Sequence, residues 1–259
     1  MTTKRSILVT RPAGQAESLI KKLSSIGYSV SYEPMLEIQK IEPLTVGQSE
    51  ISSHLTYFQH IIFVSANAVR FGLPHILENE FIMDKRTVFY AVGSSTARLL
   101  REAEIDPISP LYDMSSEGLL ELSSLKNVRG ETIALVKGEG GRDRLAVTLS
   151  DRGAILVSLD CYRRVFPMLT SRQVIEKIED NQIEIAVFSS GEGLENFLSL
   201  IREEQVRLSQ LTLLVPSDRV AKIARQAGWK QRLFVAKNAT DESVIKALGE
   251  WEQELGGLC

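Results

Sequence analysis

Nine short apolar runs, rich in β-branched residues, recur along the chain and are separated by segments with helical periodicity. Most of these runs show no polar alternation, which indicates strands that are buried on both faces, as in a parallel sheet. The runs cover residues 6–10, 28–32, 60–64, 87–92, 132–136, 154–159, 183–188, 211–215 and 232–236. Between them, apolar residues spaced three and four positions apart predict helices with one buried face. The alternation of strands and helices predicts an α/β fold.

Charge and composition exclude several classes of protein. Thirty lysines and arginines against thirty-three aspartates and glutamates give a net charge of −3, which gives no support to a nucleic-acid partner. The chain starts without the apolar core of a signal peptide, and no apolar run approaches a membrane span, so we expect no membrane partner. Cys161 and Cys259 lie far apart, which suits a reducing cytoplasm. The three histidines show no metal-ligand spacing, so we expect no metal.

The chain contains an internal repeat. Residues 7–10 resemble 134–137, residues 63–65 resemble 187–189, residues 91–94 resemble 215–218, and Gly27 corresponds to Gly153. Gly27, Gly153 and Gly228 each follow a helical segment, where glycine is favoured at the helix end. The repeat predicts two similar α/β units of about 120 residues each, which would face each other across a cleft, a favoured place for ligands.

Two further stretches differ from sheet cores. Residues 33–42 and 159–166 alternate charged and apolar side chains, contain no glycine and occupy equivalent places in the two repeats. We interpret them as extended connectors that could pair as a two-stranded ribbon. Periodicity alone does not decide whether the chain completes one domain before it begins the next.

A glycine-rich segment, residues 137–142, follows a predicted strand and opens a predicted helix. Its spacing approaches the dinucleotide fingerprint G-x-G-x-x-G, but Asp143 stands where the third glycine belongs, which disfavours a nucleotide cofactor. An alternative is a turn whose backbone N–H groups bind an anion, with Lys137, Gly138 and Arg142 as candidate binding residues. A tight turn with solvated basic side chains remains a third possibility.

Five other strand-to-helix junctions carry the small polar residues that cap helix N-termini. Any one of them could do no more than cap its helix. In an open α/β sheet all strand C-termini point to one edge, and two such edges facing one another would present several helix N-termini to one ligand. Such an arrangement suits a polyanion with many carboxylates. The candidate binding residues at these junctions are Arg11, Ser65, Ser94, Ser189 and Ser217.

Tyr162 lies in the second connector, between Cys161 and two arginines. A tyrosine in an extended segment often serves only to pack, but its hydroxyl can also donate a hydrogen bond without being ionised. The sequence shows no serine–histidine–carboxylate set. An enzyme with this sequence would therefore lack a conventional nucleophile.

In their order and spacing, these segments resemble the uroporphyrinogen-III synthase family. The first half of the family is represented by ILVTRP (7–12), FVSANAV (63–69) and YAVGSSTARLL (90–100). The second half is represented by SSEGLLEL (115–122), LVKGEGGRDRLAVTLSDRGAILVSLDCYRR (135–164), VFSSGEGLENF (187–197), VPSDRVAKIARQAGW (215–229) and ATDESVIKAL (239–248). The chain departs from the family at Val64, where many relatives carry threonine, and at Lys137, where arginine is common.

The resemblance implies a cytoplasmic lyase of tetrapyrrole biosynthesis that uses no cofactor. Such an enzyme converts hydroxymethylbilane, a linear tetrapyrrole with eight carboxylates, to uroporphyrinogen III, with loss of water and inversion of ring D. Tyr162 resembles the family tyrosine near the departing hydroxyl, and it is the candidate catalytic residue. The family also implies a monomer, with transient contact to the preceding enzyme of the pathway. A non-catalytic two-lobed small-ligand-binding protein is the alternative.

The resemblance also implies the architecture: two similar doubly wound, flavodoxin-like parallel-sheet domains joined by a two-stranded connector. Residues 1–36 and 167–259 would form one discontinuous α/β domain, and residues 41–159 an inserted α/β domain. Residues 37–40 and 160–166 would connect them.

Overall fold

The computed structural model describes residues 5–46, 58–78, 85–141 and 143–256. The chain divides into two compact units: unit 1 comprises Met1–Ile38 and Val165–Cys259, and unit 2 comprises Gln39–Arg164. Each unit contains one mainly parallel β-sheet with helices, so the predicted α/β fold is confirmed.

The helices and strands alternate along the chain as the periodicity predicts. The strands are β1 (Ser6–Val9), β2 (Ser29–Tyr32), β3 (Glu37–Val46), β4 (His60–Phe63), β5 (Val88–Ala91), β6 (Thr132–Gly138), β7 (Ile155–Val165), β8 (Ile185–Val187), β9 (Thr212–Val215) and β10 (Leu233–Val235). The helices are α1 (Glu17–Ser25), α2 (Ala66–Glu78), α3 (Ser94–Glu102), α4 (Ser116–Leu120), α5 (Arg144–Asp151), α6 (Ser171–Asp180), α7 (Gly191–Leu200), α8 (Asp218–Gln226) and α9 (Asp241–Gly256).

The sheet of unit 1 has the strand order β10-β9-β8-β1-β2, and its strand pairs are parallel. Numbered by their succession within the unit, these strands run 2-1-3-4-5, which is the flavodoxin-like order of a doubly wound sheet. Successive residues of β1 point to opposite faces: Ile7 and Val9 pack in one apolar cluster and Leu8 packs in another. Both faces are therefore buried, as the absence of polar alternation predicts.

The sheet of unit 2 has the order β3-β7-β6-β4-β5, in which the pairs β7·β6, β6·β4 and β4·β5 are parallel. Residues 37–42 of the first stretch interpreted as a connector lie on β3, and residues 159–165 of the second lie on β7, which is the neighbour of β3 in this sheet. Because β4, β6 and β7 are parallel, their carboxyl ends lie at the same edge, where ligands bind in open α/β sheets.

The internal repeat is visible in the sheet topology. The strands β2-β1-β8-β9 of unit 1 correspond in order to β7-β6-β4-β5 of unit 2, and the first residues of matching strands differ by 124 to 126 positions. Strand β10, which pairs with β9, also has a counterpart in unit 2, because Ile108 forms an isolated parallel bridge with Tyr90 of β5. Unit 1 therefore combines β1 and β2 of the first repeat with β8, β9 and β10 of the second. Unit 2 combines β4 and β5 of the first repeat with β6 and β7 of the second. This exchange explains why unit 1 is discontinuous in sequence.

One further observation concerns membranes. Among the helices of the described ranges, none is both long enough and apolar enough to cross a membrane.

Candidate active site

A cavity of about 250 Å³ lies at the carboxyl edge of the sheet in unit 2. Its wall brings together Ser65, Lys137, Gly138 and Tyr162, four of the residues singled out from the sequence. These residues follow or end the strands β4, β6 and β7, so the parallel topology is what gathers them. Arg164 also lines the cavity.

A β-bulge in β7 sets the direction of Tyr162. Lys137 of β6 is opposite Asp160, whereas the next residue, Gly138, is opposite Tyr162, so Cys161 is the extra residue on β7. Burial alternates along β7 up to Cys161, and the alternation breaks there, because Cys161 and Tyr162 are consecutive and both buried. Bulges of this kind re-aim side chains next to active sites.

The hydroxyl of Tyr162 is held by the start of helix α2. Its phenolic oxygen lies 3.1 Å from Oγ of Ser65. The same Oγ accepts a hydrogen bond from the backbone N–H of Ala68, also at 3.1 Å. The ring of Phe71, one turn further along α2, lies 6.1 Å from the Tyr162 ring, centroid to centroid. The side chain is thus fixed at the cavity wall, with only 4% of the residue exposed.

Lys137 is the basic side chain on this wall that lies between two carboxylates. Its Nζ is 3.8 Å from a carboxylate oxygen of Asp143 and 3.8 Å from one of Asp160. It also donates a long hydrogen bond, 3.5 Å, to the backbone oxygen of Gly140. All three contacts are at the outer limit of their kind, so a carboxylate of a ligand can replace them at small cost.

The glycine-rich turn after β6 adopts a conformation that needs glycine. Gly140 and Gly141 have φ values of 70° and 96°, in the left-handed region. The turn leads into α5, whose N-cap position is occupied by Asp143 without a capping hydrogen bond from its side chain. Arg142, predicted from the sequence to bind an anion here, lies outside the described residues.

Cys161 is not a nucleophile in this site. Its Sγ donates to the backbone oxygen of Lys137 at 3.3 Å, and the side chain is fully buried. Burial raises the pKa of the thiol to about 12, so it is neutral at physiological pH.

The other sequence-predicted binding residues lie elsewhere. Ser94 is in unit 2, where it is the first residue of α3 and is exposed, and it is not among the residues that line the cavity. Ser189 and Ser217 belong to unit 1. Ser190, rather than Ser189, caps α7, and Ser217 occupies the N-cap position of α8 without a side-chain hydrogen bond.

Arg11 is engaged in a buried ion pair within unit 1. One guanidinium nitrogen lies 2.6 Å from a carboxylate oxygen of Asp241, and another donates to the backbone oxygen of Ala239 at 2.7 Å. The residue is 7% exposed. Its guanidinium N–H groups thus donate to other residues of the protein.

Sequence reasoning missed three residues of the site. Arg164 follows Tyr162 by two positions on the same strand, a spacing that could have drawn attention to it. Ser116 lines the cavity from the first turn of α4, inside the motif SSEGLLEL (115–122), which indicates the family but does not single out this serine. Asp160 is near Lys137 only because β6 and β7 pair, and no local signal shows this. In the described ranges, no group of three or more histidines, cysteines, aspartates or glutamates could hold a metal ion.

Comparison with known proteins identifies the family. A family model described as uroporphyrinogen-III synthase HemD matches residues 17–246. This chain belongs to the uroporphyrinogen-III synthase family. Members from Escherichia coli and Salmonella typhimurium are each 30% identical to it over 246 residues, which is 94% of this chain and 99% of theirs. The family predicted from the sequence is therefore confirmed, and the chain is a lyase of tetrapyrrole biosynthesis. The non-catalytic alternative is not favoured.

Solved uroporphyrinogen-III synthases share the two-domain fold. A mutant enzyme from Thermus thermophilus aligns with a TM-score of 0.63 at 16% identity, over 97% of this chain and 100% of that one. The enzyme from Helicobacter pylori aligns with a TM-score of 0.61 at 14% identity, over 96% and 100% of the two chains. The predicted fold class is confirmed by these structures.

Proposed function

We propose that this synthase converts hydroxymethylbilane to uroporphyrinogen III and that Tyr162 protonates the departing hydroxyl at the cavity of unit 2. The observation that carries this assignment is the buried phenol of Tyr162 at a cavity wall that also carries Lys137. We further propose that the enzyme acts in the cytoplasm as a monomer and makes only transient contact with the preceding enzyme.

The reaction needs little chemistry from the protein. Proton transfer to the hydroxymethyl oxygen and electron push from the attached pyrrole break the C–O bond, which releases water and leaves an azafulvenium cation. The substituted carbon of ring D attacks the cationic carbon and forms a spiro intermediate. That intermediate fragments and closes again with ring D inverted, and the final ring-carbon proton is lost. The substrate supplies both nucleophile and electron push, so the protein acts mainly by orienting it.

Ser65 determines where the Tyr162 proton can point. Oγ of Ser65 accepts the N–H of Ala68, and either hydroxyl can be the donor in its 3.1 Å bond with the Tyr162 oxygen. We propose that Ser65 is the donor in that bond. Tyr162 then keeps its proton for a group in the cavity. A phenol with this arrangement can donate its proton to the departing hydroxyl as a general acid.

The substrate carboxylates would be bound by charge and by backbone N–H groups. Lys137 supplies a cation whose present contacts are weak, and the N-terminus of α2 adds a partial positive charge at Ser65. The binding roles predicted from the sequence for Ser94, Arg142, Ser189 and Ser217 stay predictions. Arg11 is left out of the proposal, since its guanidinium is committed to Asp241.

The product isomer tests the function directly. Purified protein is supplied with freshly generated hydroxymethylbilane, the products are oxidised, and the porphyrin isomers are separated by chromatography. We expect uroporphyrin III in excess over the protein-free control, which closes to isomer I. Isomer I alone, in the same amount as in the control, would exclude the proposed activity.

A further inference from the structure

We propose that Gly138 is a positioning residue for this reaction, which acts through the ring of Tyr162 instead of binding a substrate carboxylate itself. The proposal rests on the catalytic role proposed for Tyr162. It gives Gly138 a different task from the anion-binding one that the glycine-rich turn suggests from the sequence.

The space beside Gly138 is occupied by the Tyr162 ring. A Cβ atom built on Gly138 would lie 2.6 Å from both Cε2 and Cζ of Tyr162 and 3.0 Å from its phenolic oxygen. Carbon atoms in contact normally stand 3.5–4.0 Å apart, so any side chain at this position displaces the ring. Backbone conformation does not demand glycine here, because the positive φ values of the turn belong to Gly140 and Gly141. A Cβ atom at either of those two glycines would meet nothing within 4 Å.

The ring has little freedom to move away from Gly138. Helix α2 lies close to the sheet at Gly72, where an added Cβ would be 2.4 Å from Cγ1 of Val136 and 3.2 Å from Sγ of Cys161. This close approach brings Phe71 against the Tyr162 ring and Ser65 to within hydrogen-bonding distance of its hydroxyl. A displaced ring therefore gives up the 3.1 Å contact with Ser65.

The two roles for Gly138 predict different kinetics. If Gly138 positions Tyr162, alanine at position 138 lowers kcat and leaves KM almost unchanged, because the carboxylate contacts remain. If Gly138 binds the substrate directly, the substitution raises KM whether or not the Tyr162 hydroxyl is present. A double-mutant cycle separates these cases.

The kinetic test compares Gly138→Ala in the wild-type background and in Tyr162→Phe, with hydroxymethylbilane as substrate. In the wild-type background we expect kcat to fall about as far as in Tyr162→Phe alone, up to about 100-fold. In the Tyr162→Phe background we expect a further change of less than about threefold, since the hydroxyl is already absent. An equal loss of kcat in both backgrounds, or a rise in KM in both, would overturn the proposal.

A second cycle measures the steric relation without using activity. Gly138→Ala should lower the melting temperature of the wild type, but not that of Tyr162→Ala, in which the obstructing ring is removed. Gly249→Ala serves as the matched control, because an added Cβ there meets nothing within 4 Å, and it should leave kcat unchanged. Equal lowering of Tm in both backgrounds would overturn the positioning role. A normal kcat in Tyr162→Phe would instead exclude the proposed function of Tyr162, and the Tm cycle would still report the contact.

Discussion

The guanidinium of Arg11 lies 2.6 Å from a carboxylate oxygen of Asp241, although the two residues are 230 positions apart. Their side chains are only 9% and 12% exposed. Asp241 begins helix α9, where a carboxylate is favoured by the helix dipole, and Arg11 follows strand β1. The pair therefore fastens the C-terminal helix of unit 1 to the loop after its first strand.

Removing Arg11 should destabilise unit 1. Arg11→Ala removes one of the two cations at the Asp241 carboxylate and leaves Lys22 at 3.1 Å, so we expect a loss of about 1–3 kcal/mol of unfolding free energy. Urea denaturation followed by circular dichroism measures this loss. Arg98→Ala is the matched control, because its pair with Glu102 is largely exposed and contributes about 0.3–0.5 kcal/mol.

The same experiment tests the binding role predicted for Arg11 from the sequence. If stability is unchanged by Arg11→Ala while KM for hydroxymethylbilane rises, the guanidinium serves the substrate and the structural interpretation of the pair is wrong.

The Arg11–Asp241 pair also predicts an acid-dependent loss of stability. Burial raises the pKa of Asp241, but hydrogen bonds from Ser18, Arg11 and Lys22 outweigh it, so the pKa lies below its ordinary value. A pKa lowered by folding stabilises the protein above the unfolded-state value, near 4, and this stabilisation disappears as the pH falls through the folded-state value. Below about pH 4, the unfolding free energy of the wild type should thus fall more steeply than that of Asp241→Asn. Parallel curves in this range would contradict the prediction.

The Ser65–Tyr162 contact predicts that Ser65 acts mainly on kcat. Ser65→Ala removes the hydroxyl that orients the Tyr162 proton, so we expect kcat to fall toward the value of Tyr162→Phe, a loss of up to about 100-fold. Ser65→Thr keeps the hydroxyl and should recover most of the activity. Steady-state kinetics of the three variants measure these effects.

Ser65 also stabilises the start of α2, and a control must separate that contribution. Thr170→Ala removes a comparable cap, since Oγ1 of Thr170 accepts the N–H of Gln173 at the start of α6. Each substitution should cost about 1 kcal/mol of stability. If Thr170→Ala lowers kcat as much as Ser65→Ala does, the kinetic effect follows from lost stability and the orienting role is excluded.

Lys137 should act on substrate binding instead. Lys137→Ala removes a cation from the cavity wall and leaves Asp143 and Asp160 to repel the substrate carboxylates, so we expect KM to rise with little change in kcat. The effect should shrink as salt concentration rises, because the cavity is open to solvent. Lys137→Arg keeps the charge and should retain binding. Lys126→Ala, an exposed lysine of the same unit, controls for the general loss of a positive charge. A fall in kcat with unchanged KM would argue against this role.

Much of the fold could be predicted because its strands are buried on both faces. In unit 1, residues of β1 pack alternately into two apolar clusters, and the sequence of such a strand reads as an unbroken apolar run. Strand order is different, because it depends on pairings between distant segments. The placement of β8 beside β1, for example, joins residues more than 170 positions apart. The sequence pattern left the order of the domains open, and the resemblance to the family was what implied a discontinuous domain.

Part of the candidate site could be predicted, because the carboxyl ends of parallel strands lie at the same edge of a sheet. Ser65, Lys137, Gly138 and Tyr162 meet for this reason. The bulge at Cys161 was not predictable, since a period-two pattern assumes that every residue has one partner across the ladder. The burial of Arg11 was hidden for another reason: its partner, Asp241, lies at the other end of the chain.

The repeat leads to a final prediction, at the end of helix α3. Glu104 occupies the position that Gly228 occupies at the end of α8, and both are in the left-handed region, with φ values of 61° and 89°. This conformation costs a residue with a Cβ about 1–2 kcal/mol, whereas glycine adopts it freely but loses about 0.5–1 kcal/mol through its greater freedom in the unfolded chain.

Glu104 is exposed, and glycine would keep its backbone hydrogen bond to Arg101. We therefore expect Glu104→Gly to raise the unfolding free energy by up to about 1 kcal/mol, as measured by urea denaturation, with kcat unchanged. Glu104→Ala keeps the Cβ and should give almost no gain, so an equal gain from alanine would mean that the side chain, and not the backbone, is the source of strain.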